Sequence, residues 1–310
     1  MRNAKLQNYL HLHFIVFVWG FTAILGELIS IEALPLVWYR MLLASGFIYL
    51  YVVFKKISLT ISRKLFFTLF FAGIIIALHW ITFFAAIKVS NVSITLAMLS
   101  TGAFFTSILE PIFYKRKLIW YEVLFGVLVI TGLYIIFEVE GNHFLGIVYA
   151  LISAFLSSVF SLINGKVAQI HNPSMISFYE LLCGVGVITL YLIGATFFGT
   201  ATEGFTIAFF QVSVSDWIYI LILASVCTAY AFIGSVKVMK YLSPYTVMLT
   251  INLEPVYGIL LAVLIFGESE KMSTQFYYGA LIIISTVILN GIFKNAKKRK
   301  STSTLRNITK

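Results

Sequence analysis

Charge is scarce in this sequence. Asp, Glu, Lys and Arg together make up 11% of its 310 residues, while 60% are hydrophobic and the mean hydropathy is +0.98. A soluble domain of this size needs a far richer charged surface, so the composition excludes one and indicates a polytopic membrane protein. Cysteine is nearly absent as well. Cys183 and Cys227 both fall in apolar stretches, which reads as free core thiols rather than a disulfide or a metal pair. Also missing are His-Glu-x-x-His, Gly-x-Ser-x-Gly, a phosphate loop and a dinucleotide fingerprint; Gly184-Val185-Gly186 lacks the third glycine. Polar residues inside the apolar stretches are too sparse to supply a nucleophile with its base, or a set of metal ligands. No enzyme activity, no metal and no cofactor is expected.

What the chain does contain is a series of long apolar runs. Ten candidate spans lie near 9–29, 34–54, 65–87, 90–114, 119–137, 144–168, 174–198, 215–236, 243–266 and 273–293. The longest connection, from about Gly199 to Val214, leaves no room for a soluble domain. The first run follows basic residues as a signal peptide does. It is of spanning length and lacks a small-residue cleavage site, so an uncleaved span is expected.

The net charge of +10 raises nucleic acid as a partner, but the placement of the charges excludes it in favour of membrane lipid. With the N-terminus in the cytoplasm, only Lys88 and Lys271 of the 22 basic residues fall outside, and Arg40 lies within the second span. The outer side carries Glu27, Glu32, Glu138, Glu140, Glu203, Asp216, Glu268 and Glu270. This positive-inside pattern puts both termini in the cytoplasm. The basic tail, 297–310, is placed to touch anionic lipid.

The two halves of the chain align. Tyr39-Arg40 through Gly46 meets Tyr179-Glu180 through Gly186 at a shift of 140, and Gly126 meets Gly279 at a shift of 153. The second shift also sets Thr101-Gly102 opposite Glu254-Pro255. Each half then holds five spans, an odd number, so the second must enter the membrane in the opposite orientation. Charge reverses accordingly: Lys115-Arg116-Lys117 ends span four on the inside, and Glu268-Ser269-Glu270 ends span nine on the outside. The fold class expected is an all-α membrane protein of ten transmembrane helices in two inverted five-helix repeats, at 1–141 and 142–296. Inverted repeats of this kind are built around a midplane site with discontinuous helices.

Glu254-Pro255 marks such a site. A carboxylate near the bilayer centre costs about 2.5–3.5 kcal/mol on insertion scales, and a proline beside it frees a backbone carbonyl one turn earlier. Glu254 reads either as a contact for substrate or a coupling proton, or as a glutamate fixing the helix break by a hydrogen bond. Asn252 accompanies it, and Thr101 and Gly102 form the mirror position. Arg40 and Glu180 align in the repeat but sit about 12 Å apart in depth, by 1.5 Å per residue from opposite faces, so a salt bridge is not expected. Arg40 reads as capping an outer vestibule or snorkelling, with substrate contact as the alternative. Trp19, His79, Trp80 and Tyr230 are candidate cavity walls. Ser153, Ser157, Ser161 and Gly165 recur every four residues, a stripe for close helix packing, with Asn164 and Lys166 at its cytoplasmic end.

Trp19-Gly20, Pro35, Arg40, Ala44, the run His79 to Lys88, and above all Asn252-Leu253-Glu254-Pro255 to Phe266-Gly267-Glu268 with Gly279 resemble the EamA-type members of the drug/metabolite transporter superfamily. The resemblance spans the whole chain. It implies a ten-helix bundle that moves a small-molecule substrate across the inner membrane of a prokaryote, often outward. Two positions depart from the pattern: Gly102 stands where the first repeat usually has proline, and Lys115 where it often has glutamate. The competing reading is a structural or receptor-like polytopic protein without transport activity.

The charge pattern yields a topology test. A cysteine placed at Thr202 is expected to react with an impermeant thiol reagent from outside, and one at Lys298 is not. The reverse labelling would overturn the orientation and the inversion of the repeats with it.

Overall fold

The structure, a computed structural model, describes residues 2–115, 120–199, 204–242, 247, 250–251, 253–286, 288–289 and 292–293. Thr202, Asn252, Lys298 and the basic tail lie outside them. Among the described residues the regular structure is helical throughout, with no strand. In hydrocarbon every backbone N–H and C=O must be satisfied inside the protein, and a helix does so within one segment.

The helices are α1 (Arg2–Leu28), α2 (Ala33–Phe54), α3 (Arg63–Val89), α4 (Val92–Leu99), α5 (Gly102–Tyr114), α6 (Trp120–Val139), α7 (Phe144–Val167), α8 (Pro173–Phe198), the short α9 (Ile207–Phe210), α10 (Val214–Ala224), α11 (Ala231–Val238) and α12 (Glu254–Phe266). A last described helix covers 274–286. Side-chain caps start several of them. Ser62 accepts from the Leu65 amide at 3.2 Å before α3, and Asn91 from the Ile94 amide at 2.8 Å before α4. Pro173 stands at the first position of α8, where its missing N–H costs nothing.

Among the described residues, seven helical segments are long and apolar enough to cross a membrane: Leu6–Leu28, Ala33–Phe54, Arg63–Val89, Val92–Tyr114, Gly141–Val167, Pro173–Phe198 and Val214–Val238. Leu124–Val139 is a shorter apolar helix. Against the ten spans expected, these eight match spans one to eight within a few residues. Spans nine and ten contain residues outside the described set.

Two of the expected spans are interrupted. Between α4 and α5 the chain makes a turn at Ser100-Thr101, and α12 begins at Glu254 directly after a turn at Leu253. A third segment, Ser225–Tyr230, joins α10 to α11 as one turn of π-helix.

Contacts between the halves tie these pieces together. Glu270, just past α12, accepts from the Val92 and Ser93 amides at 2.9 and 2.8 Å, so a carboxylate from the second half caps α4 in the first. Asp216, in the first turn of α10, accepts from the amide and hydroxyl of Ser30 at 2.7 and 2.6 Å. α3 lies against both α7 and α8, α2 against α8, and α1 against α11 and α12.

The serine stripe on α7 differs from expectation at one position. Ser153 and Ser161 are buried, whereas Ser157 is only half-buried and faces a cavity described below. Ser158 takes the packing position instead, donating to the Gly102 carbonyl at 2.7 Å.

Backbones approach closely at Gly73 on α3, where a Cβ would run into the Glu180 carbonyl of α8. A Cβ there would lie 3.0 Å from the Gly184 amide nitrogen and 3.2 Å from Cys183 Cβ, both on α8. Gly46, on the exposed side of α2, has open space around it. Gly73→Leu is expected to cost about 1–3 kcal/mol or more through overpacking, while Gly46→Leu leaves stability near wild type. Thermal midpoints of the two variants in one detergent test this; equal midpoints would count against the α3–α8 contact.

Candidate functional site

One cavity, with about 770 Å³ of empty space including its opening, lies among α1, α2, α3, α7, α11 and the turn before α12. Both halves of the chain contribute walls. Trp19 and Thr22 come from α1, Arg40 from α2, and His79, Trp80 and Phe83 from α3. Ser157, Phe160 and Ser161 come from α7, Cys227 from the π-turn, and Phe232 and Ser235 from α11; Leu99, Met239, Ile251 and Glu254 complete the lining.

Arg40 is the central polar group. Its side chain is 2% exposed and its guanidinium carbon lies 3.9 Å from the centre of the Trp80 ring, with Phe84 beyond at 5.5 Å. Such a contact is worth about 0.5–1 kcal/mol at exposed sites and about 2 when desolvated. Nε donates to Thr228 Oγ1 at 2.6 Å, and the Thr228 hydroxyl in turn donates to the Leu223 carbonyl at 2.7 Å. That carbonyl is five residues back, which the π-turn geometry brings within reach. Nη1 is left without a protein partner. Of the readings of Arg40, snorkelling is therefore corrected. Aromatic stacking and a hydroxyl on a neighbouring helix hold it inside, where reaching the surface would forfeit both.

His79 is anchored from behind. Its Nδ1 lies 2.9 Å from the Ser153 carbonyl and 2.7 Å from Ser153 Oγ, and that hydroxyl donates back to the His79 carbonyl at 3.0 Å. Since the Ser153 carbonyl can only accept, Nδ1 carries the hydrogen in the neutral ring and Nε2 is its acceptor. Trp19 Nε1 donates to the Cys227 carbonyl at 3.1 Å, which pins its ring at the cavity edge.

Glu254 is buried at the first turn of α12 and lines the same cavity as Arg40, yet the two do not form an ion pair. A guanidinium and a carboxyl group thus share one chamber without an ion pair. Pro255 follows in the first helical turn, where a proline is tolerated.

Of the residues singled out from the sequence, Trp19, Arg40, His79, Trp80 and Glu254 meet in this cavity. Thr101 and Gly102 do not line it. Thr101 is buried at the break, its hydroxyl donating to the Met98 carbonyl at 2.7 Å, and the Gly102 carbonyl accepts from Ser158. Tyr230 points away: it is 45% exposed and its hydroxyl lies 2.9 Å from His11 Nε2. Two residues past Thr228, it stands on roughly the opposite side of the helix. Asn252 lies outside the described residues.

The sequence reading missed Phe83, Phe160, Phe232, Ser235, Met239 and the Thr228 partner of Arg40. Phenylalanine occurs 29 times in the chain, so no single one stood out. A π-turn leaves no signature in residue type. Ser157 and Ser161 were visible only as small residues.

These features define a multi-pass helical membrane protein with an internal polar cavity walled by both halves of its sequence. The model of the EamA-like transporter family matches the chain twice, over residues 9–138 and 144–292, and the chain belongs to that family. The double match gives a two-repeat architecture. A solved structure titled "Crystal structure of protein" is similar in fold, with a TM-score of 0.65 at 13% identity, covering 92% of this chain and 97% of that one. No curated protein matches the chain.

Thr228 offers a test of how the guanidinium is held. Thr228→Val deletes the acceptor from a buried charge and is expected to lower stability by about 1–3 kcal/mol, while Arg40→Lys, which cannot stack as a planar fork, is not expected to substitute for wild type. Thermal denaturation in detergent reads both. Wild-type stability of Thr228→Val would mean that the Trp80 contact alone fixes Arg40.

Proposed function

We propose that this protein is a secondary transporter that moves a small organic metabolite or drug-like solute across the inner membrane of a prokaryote, outward, by alternating access. The observation that carries this reading is the cavity itself. It is enclosed by helices from both repeats, beside the turn that opens α12, and its walls combine one guanidinium, one carboxylate and several aromatic rings. Such a chamber suits an amphipathic solute: Trp19, Trp80, Phe160 and Phe232 face its apolar body, and Arg40 Nη1 and Glu254 face its polar groups.

In this reading the repeats, 1–141 and 142–296, are inverted and exchange roles as inner and outer gate, with both termini and the tail 297–310 in the cytoplasm. The mirrored interruptions at Ser100-Thr101 and Leu253 are the hinges between half-helices. The close packing of α3 on α7 and α8 moves as a unit against α1 and α12. Trp19, Arg40, His79, Trp80 and Glu254 touch the solute. Thr101 and Gly102 act through the break rather than by contact. A coupling proton is the simplest energy source for a chamber holding a titratable carboxylate.

Glu254→Gln keeps shape and hydrogen bonding but abolishes titration. In vesicles reconstituted with purified protein, and with a solute found by a thermal-shift screen of metabolites and drugs, it is expected to remove most transport or its pH dependence. Pro255→Ala is expected to be milder. Wild-type transport with unchanged pH dependence in Glu254→Gln would reduce Glu254 to a structural residue.

A further inference from the structure

A second buried carboxylate lies outside the cavity. Glu180 on α8 is fully buried, 0% exposed, and roughly 10 Å along its helix from Pro173 at 1.5 Å per residue. Its Oε2 accepts one hydrogen bond, from Asn164 Nδ2 on α7 at 3.2 Å. Its other oxygen, Oε1, has no partner. Neither has Asn164 Oδ1, nor the hydroxyl of Ser177, one turn before Glu180 on the same face of α8. Asn164 and Ser177 are also 0% exposed.

All three bare atoms are oxygens: Glu180 Oε1 and Asn164 Oδ1 are acceptors, and the Ser177 hydroxyl can accept as well as donate. An orphaned buried acceptor costs about 1–3 kcal/mol, more when charged, so two of them on a hydrogen-bonded pair signal a missing electropositive partner. The protein does not provide one. Among the described residues no ion pair includes Glu180. Arg40 on α2 is turned to Thr228 and Trp80, and Tyr39 to the Phe209 carbonyl. His79 on α3 is bonded to Ser153, while Arg63 and Lys64 at its start are exposed. Lys166 on α7 donates to the Phe113 carbonyl, Lys237 on α11 is exposed, and Cys183 on α8 is a neutral free thiol. Gly73 of α3 lies against the α8 backbone beside Glu180.

We propose that Glu180, Asn164 and Ser177 form a binding site for one hard monovalent cation, a proton or Na⁺. The chemistry is shared. A single positive charge neutralises the carboxylate, and both ions seek oxygen. A proton on Oε1 becomes a donor for Asn164 Oδ1 and closes a two-bond ring with the amide already paired to Oε2. Na⁺ instead draws the carboxylate, the amide oxygen and the hydroxyl together as ligands.

The site also communicates with the cavity. Ser157 and Ser161 line the chamber, and Asn164 is the next residue on that face of α7. A cation held at Glu180 thus lies one helical turn from the chamber wall. Its role as the coupling ion rests on the transporter reading, whereas its binding does not.

The test uses the full chain purified in detergent and needs no solute. Thermal midpoints are measured while NaCl replaces choline chloride at constant ionic strength, and separately across pH, for wild type and Glu180→Gln. Glu254 is present in both proteins, so its own titration cancels in the comparison. A saturable Na⁺ stabilisation present in wild type and absent in Glu180→Gln identifies Na⁺. A pH response that differs between the two proteins by one proton, with no Na⁺ effect, identifies a proton. Either result supports the site. Identical responses of wild type and Glu180→Gln to both Na⁺ and pH overturn it. Should Glu180→Gln fail to fold, Asn164→Leu takes its place: a tenfold or larger shift in Na⁺ affinity, or a shift of the pH midpoint, is expected, and no change in either overturns the proposal. Cation binding at Glu180 with no transport of any solute by reconstituted wild-type protein would count against the transporter reading alone.

Discussion

A helix interrupted inside hydrocarbon exposes carbonyls and amides that no water can reach, and this constraint shapes the rest of the molecule. Here hydroxyls close to the break take up the freed groups. Ser100 donates to the Ala97 carbonyl at 2.5 Å, Thr101 to Met98, and Ser158, from α7, to Gly102. At the other end of α4 the carboxylate of Glu270 covers the first amides from across the repeat boundary. Each of these partners must come from packed protein. The interruptions are therefore drawn to the interior, and the half-helices they create cannot pack as tightly as continuous ones. The chamber is the space that results.

That space has been filled with charge rather than with hydrocarbon. Breaking a buried pair by removing one member is strongly destabilising, and a buried ion without a partner is worse placed still. Arg40 meets this cost with a ring face, a hydroxyl and the edge of the cavity. Glu254 stands in the first turn of α12, in the same chamber. Had the two been joined directly, the chamber would be electrically closed to a polar solute. Held apart, each keeps capacity for a guest. The arrangement trades folding stability for binding, as expected where intramembrane ionisable residues serve function.

How much of this was legible in the sequence depends on the link considered. Spans one to eight were, because length and apolarity are all that a bilayer requires of them, and so was the interruption at Glu254-Pro255, since proline and a carboxylate are both costly there. The gathering of Trp19, Arg40, His79, Trp80 and Glu254 was partly legible, through their polarity or size in apolar surroundings. The fate of Arg40 was not. Its depth could be counted from the end of its span, but whether it turns outward or under Trp80 depends on which helix lies beside it. Tyr230 misled for a related reason: α10 and α11 are joined by a π-turn, so the face presented to the chamber is set by Cys227 and Thr228. Ser157 was read as packing because a spacing of four cannot separate one face of a helix from the next.

Glu180 shows where pairwise reading of a repeat reaches its limit. It aligns with Arg40 between the halves, and opposite charges at equivalent positions suggest a bridge. In the structure each finds a different setting: Arg40 a ring and a hydroxyl, Glu180 an amide, with bare oxygens on Asn164 and Ser177. Equivalent positions in inverted repeats occupy equivalent sites on opposite sides of the membrane midplane, so their chemistry should be compared by role and not by contact. On that view Arg40 supplies a fixed positive charge to one side of the chamber. Glu180 leaves a positive charge to be supplied at the other, and α7 carries the connection through Ser157, Ser161 and Asn164. In the proposed transporter reading, a cation that enters and leaves there alters the charge balance of the chamber, as a proton at Glu254 does, and so meets the physical requirement for linking an ion gradient to a solute.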